Sequence, residues 1–235
     1  MPIIAYILLV AAVLLLAFGY YASFFIESGV YVKAFCRARD TAKKIALTFD
    51  DGPEEPMTER VLDVLARHRV KAAFFLIGAK AERCPGLVRR MVEEGHTVGS
   101  HSFSHASLFP FGSRKKIADE MERTRDILRE ITGKTVRLFR PPFGVTNPTI
   151  AAAIHAGDYQ TVGWSVRAFD PRGYVSRKRI RKRLLKRLHP GAVVLLHDRC
   201  GGADELVENF IVAAQEKGYE IVGLDELSNM QAYED

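Results

Sequence analysis

Two adjacent carboxylates follow a largely apolar run near the start of the chain. Residues 45–49 have the composition of a buried strand, and Asp50 and Asp51 come directly after it, before a Gly-Pro turn. Because adjacent residues of an extended chain point to opposite sides, one carboxylate could face a metal ion while the other faces a reacting water. Asp-Asp-Gly is also common in surface turns, so other residues must support a chemical role.

Two imidazoles stand four residues apart in His101-Ser-Phe-Ser-His105. On one helical turn both would face the same point, which suits a metal ion. With Asp51 they form a set of two histidines and one carboxylate that leaves positions open for water and substrate. Zinc, or another divalent ion such as cobalt, manganese or nickel, would lower the pKa of such a water toward ~7. A histidine pair with a structural role is the simpler alternative.

Four further polar residues supply the acid–base partners of a hydrolysis. Asp50 would be the general base, kept ionised and oriented by Arg140. His197 would be the general acid that protonates a leaving amine, and Asp170 would keep it charged. The metal ion would polarise the carbonyl and stabilise the oxyanion. Together these groups describe metal-assisted hydrolysis of an amide or an ester.

Strands and helices alternate along the chain, and the polar groups fall where strands end. Seven strands are predicted, at 45–49, 72–77, 96–99, 136–139, 160–166, 192–196 and 219–223. The alternation favours parallel βα units in a closed or nearly closed barrel, with a doubly wound open sheet as the alternative. Since the C-terminal strand ends of such barrels share one face, residues spread over about 150 positions should converge there.

Four motifs resemble those of the polysaccharide deacetylase (NodB homology) family, carbohydrate esterase family four. They are Thr48-Phe49-Asp50-Asp51-Gly52, His101-Ser-Phe-Ser-His105, Arg140-Pro141-Pro142-Phe143 and Leu195-Leu196-His197. The resemblance runs from about Lys43 to Leu227 and implies Asp50 as base, Asp51 as metal ligand and His197 as acid. It also assigns four residues to substrate binding, with the leucine lining an acetyl pocket: Pro142, Phe143, Trp164 and Leu195.

The resemblance implies a distorted (β/α)7 barrel, preceded here by one transmembrane helix, and removal of N-acetyl or sometimes O-acetyl groups from sugars. Peptidoglycan or a related envelope polymer is the first substrate expected. One motif departs from the family, which often has Asp-x-x-Asp-Trp after the fifth strand. Asp170 is kept, but Arg167 replaces the first Asp and Pro171 replaces the Trp. The sugar-binding surface is therefore expected to differ.

The N-terminal segment has the length and composition of a membrane span. Residues 3–26 carry no charged side chain and would extend about 36 Å as a helix, against ~30 Å for the hydrocarbon core. A cleaved signal peptide would need a basic front region and a shorter apolar run. We therefore expect a single-pass anchor at 1–27, a connector at 28–42 and a catalytic domain at 43–235.

The side of the membrane is predicted differently by two observations. Basic residues follow the span and none precedes it, so charge counting places the catalytic domain in the cytoplasm. The glycan substrates of the family place the domain outside, and we expect the extracytoplasmic side.

Deacylation of a lipid-linked sugar at the membrane surface is the alternative activity. A catalytically silent glycan-binding protein is the alternative of another class.

Composition limits the remaining possibilities. The chain has 235 residues, 48% of them hydrophobic, which suits one globular domain of about 190 residues after the N-terminal segment. Three widely spaced cysteines form neither a zinc motif nor a disulfide framework.

Much of the net charge of +6 lies in a basic stretch, 177–188. This stretch is either a solvated helix face or a contact for anionic lipid or polymer. No nucleic-acid-binding module is recognisable, so we expect no nucleic-acid partner.

Overall fold

The computed structural model describes residues 2–39, 42–170 and 176–234. The helices are α1 (Pro2–Phe24), α2 (Met57–His68), α3 (Gly78–Arg83), α4 (Pro85–Glu93), α5 (Arg114–Thr132), α6 (Pro148–Ala156), α7 (Arg177–Arg187), α8 (Ala203–Glu216) and α9 (Leu224–Ser228). The strands are β1 (Ala34–Phe35), β2 (Lys44–Asp50), β3 (Ala72–Leu76), β4 (Thr97–Ser100), β5 (Leu138–Phe139), β6 (Gln160–Val162), β7 (Val166–Arg167), β8 (Val193–His197) and β9 (Glu220–Val222).

The strands form one parallel sheet that curls toward closure. Their order is β1-β6-β5-β4-β3-β2-β8-β7, and β9 pairs with the start of β2. Although β6 and β7 lie near opposite ends of this order, only residues 163–165 join them, so the two edges of the sheet must approach each other. On one side of that gap Gly163 N donates to Phe35 O at 2.9 Å, and on the other Ser165 N donates to Val193 O at 3.1 Å. Ala38 N, just after β1, donates to Gly191 O, just before β8, at 2.9 Å and joins the two edges. The predicted parallel βα barrel is confirmed, in an incompletely closed form.

The predicted fifth strand, 160–166, is two short strands rather than one. Residues up to Val162 pair with β5 and β1, whereas residues from Val166 onward pair with β8. The chain changes its pairing partner at 163–165, so a continuous strand cannot form. This crossing accounts for one of the two strands beyond the seven that the sequence predicts.

The second additional strand is β1, which lies in the segment predicted as a connector, 28–42. Ala34 and Phe35 pair in parallel with β6, and Arg37 bridges to Ala192 beside β8. Val32 and Cys36 on either side are buried. The described part of this segment is therefore built into the sheet, and a truncation at residue 40 would remove an edge strand.

Helix α1 projects its apolar surface outward and contacts the domain at its end. Ile3–Phe24 is, within the described ranges, the one helix long and apolar enough to cross a membrane, judged by length and composition alone. Near its end Ala22 is buried and its carbonyl accepts a hydrogen bond from Thr146 Oγ1 at 3.2 Å. Thr146 N also donates to Ser23 O at 2.9 Å. The loop after β5 is thus bonded to the end of α1.

Strand alternation decides which side chains enter the curl of the sheet. Ile45, Leu47 and Phe49 of β2 pack with the helices in the largest apolar cluster. Because the side-chain period of a strand is two, Thr48 and Asp50 face the opposite side, the interior of the sheet. The strand therefore delivers a carboxylate to the enclosed face at its C-terminal end.

The apolar stripe of the basic helix α7 packs on the domain. Ile180 and Leu184 are buried in the same cluster as β2, and Leu185 and Leu188 pack against it. That stripe is part of the domain core and is not available to insert into a lipid surface. A contact of the basic side chains with anionic lipid or polymer stays a prediction. Its basic face remains exposed.

Candidate active site

Arg140 is fully buried at the end of β5 and holds Asp50 in place. Its Nη1 donates to Asp50 Oδ1 at 2.7 Å and to Thr48 Oγ1 at 2.9 Å. Its Nε donates to Val162 O at 3.1 Å and its Nη2 to Gly163 O at 2.8 Å. Burial lowers the pKa of Arg140 and the Asp50 carboxylate opposes that change. Since a guanidinium keeps its proton in proteins, this is a buried ion pair with four hydrogen bonds.

Asp51 reaches the same face by a backbone turn rather than by strand alternation. Its φ is 72°, in the left-handed region that few non-glycine residues adopt. Its Oδ1 lies 3.5 Å from His101 Nε2 and 3.3 Å from His105 Nε2. Burial acts to raise the pKa of Asp51, but the imidazoles and Arg199 outweigh it and lower the pKa. The carboxylate is therefore held in the ionised form that a metal ligand requires.

The two histidines lie on an irregular loop, so the helical turn expected from their spacing is wrong. Ser102 and His105 have φ values of 63° and 50°, and His105 N donates to Ser102 Oγ at 3.0 Å. His101 Nδ1 lies 2.6 Å from Arg140 O, so this nitrogen carries the proton and Nε2 presents its lone pair. Burial, followed by the neighbouring His101, lowers the pKa of His105 to about 4.

The three expected metal ligands come together in a geometry that fits a cation. One ligand atom from each of Asp51, His101 and His105 lies within 4.8 Å of the others. Two imidazole nitrogens and a carboxylate oxygen suit zinc and similar divalent ions. The hydrogen bond on the far nitrogen of His101 is the outer-shell contact that orients a ligating imidazole. The side chains could therefore hold one divalent metal ion.

His197 ends β8 and is paired with Asp170, which the sequence placed after the fifth strand. His197 Nδ1 lies 2.7 Å from Asp170 Oδ1, and His197 N donates to Asp170 Oδ2 at 2.8 Å. Burial alone lowers the pKa of His197, but the hydrogen bond and charge of Asp170 outweigh it and raise the pKa. Nε2 lies 3.8 Å from Asp51 Oδ2. Asp170 thus favours the protonated form of an imidazole that faces the ligand cluster.

An apolar wall and two arginines enclose a cavity of about 210 Å³ over these groups. Phe143, Trp164 and Leu195 line it, as do Arg167 and Arg199. The Arg167 guanidinium lies 5.3 Å from the centre of the Trp164 ring, so the residue that departs from the family motif faces the cavity. Pro171, the other departure, lies outside the described residues.

The loop after Arg140 shapes this cavity. Pro142 is buried and does not line it; instead it begins the turn that presents Phe143, whose ring centre lies 4.6 Å from that of His105. Gly144 has φ 70°, and a Cβ there would come within 2.3 Å of Trp164. Glycine is therefore required where this turn contacts the indole.

Three residues in or beside the site have no role that the sequence indicates. Thr48 accepts from Arg140 and lies two residues before Asp50, so strand alternation could have found it. Arg199 Nε donates to Asp51 Oδ2 at 2.9 Å, and no spacing rule indicates this contact. Asp198 is buried, accepts from Thr58 Oγ1 at 2.6 Å, and has its pKa raised to about 6 by burial. A Cβ on Gly52 would lie 2.3 Å from its carboxylate.

Comparison with known proteins points to the same family as the sequence motifs. The family model for polysaccharide deacetylase matches residues 37–162. The chain is 37% identical over 203 residues to the peptidoglycan-N-acetylglucosamine deacetylase PgdA of Listeria monocytogenes, covering 86% of this chain and 42% of that protein. It is 36% identical over 197 residues to the peptidoglycan-N-acetylmuramic acid deacetylase PdaA of Bacillus subtilis, covering 83% of this chain and 74% of that protein.

Similarity extends to solved structures. The crystal structure of the Bc1960 peptidoglycan N-acetylglucosamine deacetylase superimposes with a TM-score of 0.78 at 31% identity, over 85% of this chain and 94% of that one. The chain thus spans less than half the length of the Listeria relative and nearly the whole of the Bc1960 structure. The family model matches more than half of the chain, and the Bc1960 structure superimposes on 85% of it. This chain therefore belongs to the polysaccharide deacetylase family.

Proposed function

We propose that the protein is a metal-dependent hydrolase that removes N-acetyl groups from an envelope glycan, with peptidoglycan as the first candidate substrate. One observation carries the proposal: the buried carboxylate of Asp50 and the imidazole of His197, which is paired with Asp170, flank the same ligand cluster. Asp50 Oδ2 lies 3.8 Å from His101 Nε2, and His197 Nε2 lies 3.8 Å from Asp51 Oδ2. The relatives named as peptidoglycan deacetylases support this substrate class.

Each group has a defined part in amide hydrolysis. A divalent cation held by Asp51, His101 and His105 would supply Lewis acidity and a water of lowered pKa, toward about 7. Asp50, paired with Arg140 at 2.7 Å, accepts the proton of the attacking water. His197, kept protonated by Asp170, donates a proton to the departing sugar amine. The products are acetate and the free amine, and an O-acetyl ester would be cleaved by the same groups.

The cavity has features suited to an acetamido sugar. Leu195 and Trp164 offer an apolar surface to the acetyl methyl group, and Phe143 offers a partly exposed ring on which a sugar face can pack. Zinc is the metal we propose, because two imidazoles and one carboxylate are a common zinc donor set. Cobalt, manganese or nickel could serve with the same ligands.

We propose that α1 anchors the protein in a membrane as a single span, with the catalytic domain on the extracytoplasmic side. Its outward-facing apolar length and the aromatic residues near its end support an anchor. A lipid-linked sugar is a second candidate substrate. It is favoured by the hydrogen bonds between Thr146, three residues after Phe143, and the end of α1, which keep the cavity near that helix.

Acetate release by the full chain in detergent tests the proposal. The protein would be stripped with a chelator, reloaded with zinc, and incubated with chitooligosaccharides, peptidoglycan fragments and an acetylated lipid-linked sugar. We expect release that requires the metal, and the ranking of substrates separates the two candidates. Glycan binding without release by the folded, metal-loaded protein would instead support a silent binding protein.

A further inference from the structure

A short loop beside the site presents two large apolar side chains to solvent. Residues 106–112, here called the Phe111 loop, contain a turn in which Phe109 and Pro110 are buried. Leu108 is 72% exposed and Phe111 is 81% exposed. Because Phe109 anchors the turn in an apolar cluster with Ile117, the outward direction of Leu108 and Phe111 is fixed by the packing.

Hydrogen bonds connect the Phe111 loop to the end of α1. Asn147 Nδ2 donates to Pro110 O at 2.7 Å. The preceding residue, Thr146, donates to the carbonyls of Ala22 and Ser23. The Phe111 loop follows His105 directly, so it lies on the face of the sheet that carries the site. The loop, the site and the end of the apolar helix therefore share one side of the molecule.

The residues around this loop have the chemistry of a membrane interface. Arg114, Lys115 and Lys116 are exposed immediately after Phe111. The last turns of α1 also present exposed aromatic rings, which prefer the boundary between hydrocarbon and headgroups: Tyr20, Tyr21 and Phe24. Apolar side chains next to a basic cluster bind anionic lipid surfaces through both insertion and charge.

We propose that the Phe111 loop is a docking surface for an anionic phospholipid bilayer. Leu108 and Phe111 insert at the level of the headgroups, and Arg114, Lys115 and Lys116 contact lipid phosphates. The loop and the end of α1 then form two attachments to one membrane, and they hold the opening of the site close to the bilayer. This inference rests on the anchor proposed above and not on the identity of the reaction.

Fluorescence quenching by brominated lipids tests the docking surface. The full chain would be reconstituted in vesicles containing phosphatidylglycerol, with Phe111→Trp in one variant and Val212→Trp in the other. Val212 is exposed in the second half of α8, which runs from the site face toward the opposite end of the sheet, and it is the matched control. Trp164 is the one native tryptophan, so the unsubstituted protein gives the background.

We expect brominated lipid to reduce the added Phe111→Trp emission about twofold or more, and to leave that of Val212→Trp near its value in ordinary vesicles. Replacing Arg114, Lys115 and Lys116 with Gln, or adding salt, should weaken the quenching. Equal quenching of the two variants would overturn the proposal. Failure of the chain to float with the vesicles would also overturn it. Acetate release from soluble glycan fragments would test the proposed reaction separately.

Discussion

Substituting Arg140 by Lys separates the charge of this residue from its geometry. An ammonium can still pair with Asp50, but one compact charge cannot also reach the carbonyls of Val162 and Gly163, which the guanidinium bonds at 3.1 and 2.8 Å. These carbonyls belong to the crossing between β6 and β7. Arg140→Lys should therefore weaken both the base and the closure of the sheet.

The size of the effect follows from the two lost bonds. A hydrogen bond from a charged donor contributes about 1.5–3 kcal/mol, and leaving its buried acceptor unpaired has a similar cost. Two such losses amount to about 3–6 kcal/mol, against ~5–15 kcal/mol for a whole domain. The variant should still fold, with a thermal midpoint lower by about 6–24 °C for a domain of this size. Displacing the base should lower kcat about 100-fold.

Circular dichroism melts and acetate release measure the two effects. Arg129→Lys is the matched control, because Arg129 is 57% exposed and its partner Asp126 is also on the surface. That substitution should change the free energy of unfolding by less than about 0.5 kcal/mol. Equal melting temperatures for the two variants, or full activity in Arg140→Lys, would refute the role assigned to the buried guanidinium.

Three other substitutions test individual groups. Asp170→Asn removes the charge that raises the pKa of His197, so burial should lower that pKa and move the alkaline limb of kcat to lower pH; an unmoved limb would contradict the pairing. Asp198→Asn keeps the Thr58 hydrogen bond. The folded-state pKa of Asp198, about 6, exceeds the ordinary 3.8, so the carboxylate lowers the free energy of unfolding as pH rises between these values. The variant should therefore be more stable than the unsubstituted protein by up to ~3 kcal/mol at pH 8 and by little at pH 4. Melts that show the same difference in stability at both pH values would refute this. Arg199→Ala removes a cation 2.9 Å from Asp51 Oδ2 and should tighten metal binding about tenfold in a chelator competition; weaker binding would show that Arg199 mainly orients the ligand.

The sequence predicted those site features that follow from strand periodicity. Asp50 faces the interior because Leu47 and Phe49 face the helices, and His197 ends a fully apolar strand. Helix starts were equally readable, since Ser113 and Asn147 cap the helices that follow them. These features depend on neighbours in sequence, which a pattern can report.

Other features depend on contacts distant in sequence or on unusual backbone. Asp51 and His105 both adopt left-handed φ values without being glycine, which no local propensity indicates. The two-residue strands β1 and β7 are too short to show a period, and they exist because the sheet curls and their partners are already in place. Arg199 contacts Asp51, which lies 148 residues earlier in the chain, and no sequence motif predicts this contact.

The basic helix shows a pattern that was ambiguous in the sequence alone. Its apolar stripe fits either a lipid surface or a protein core, because both bury one face of a helix. The core is the partner here, with Ile180 and Leu184 buried. Two of the apolar side chains that are exposed outside α1, Leu108 and Phe111, lie in a segment too short for any periodicity.

The central claim is that Asp50 is a base beside a metal site to which it does not itself contribute a ligand. Its most direct test measures metal content and acetate release together, on the full chain and on Asp50→Asn. We predict one equivalent of zinc bound by both proteins, with acetate released by the unsubstituted protein and essentially none by the variant. Turnover retained in Asp50→Asn, or loss of the metal along with the activity, would contradict the separation of base from ligands.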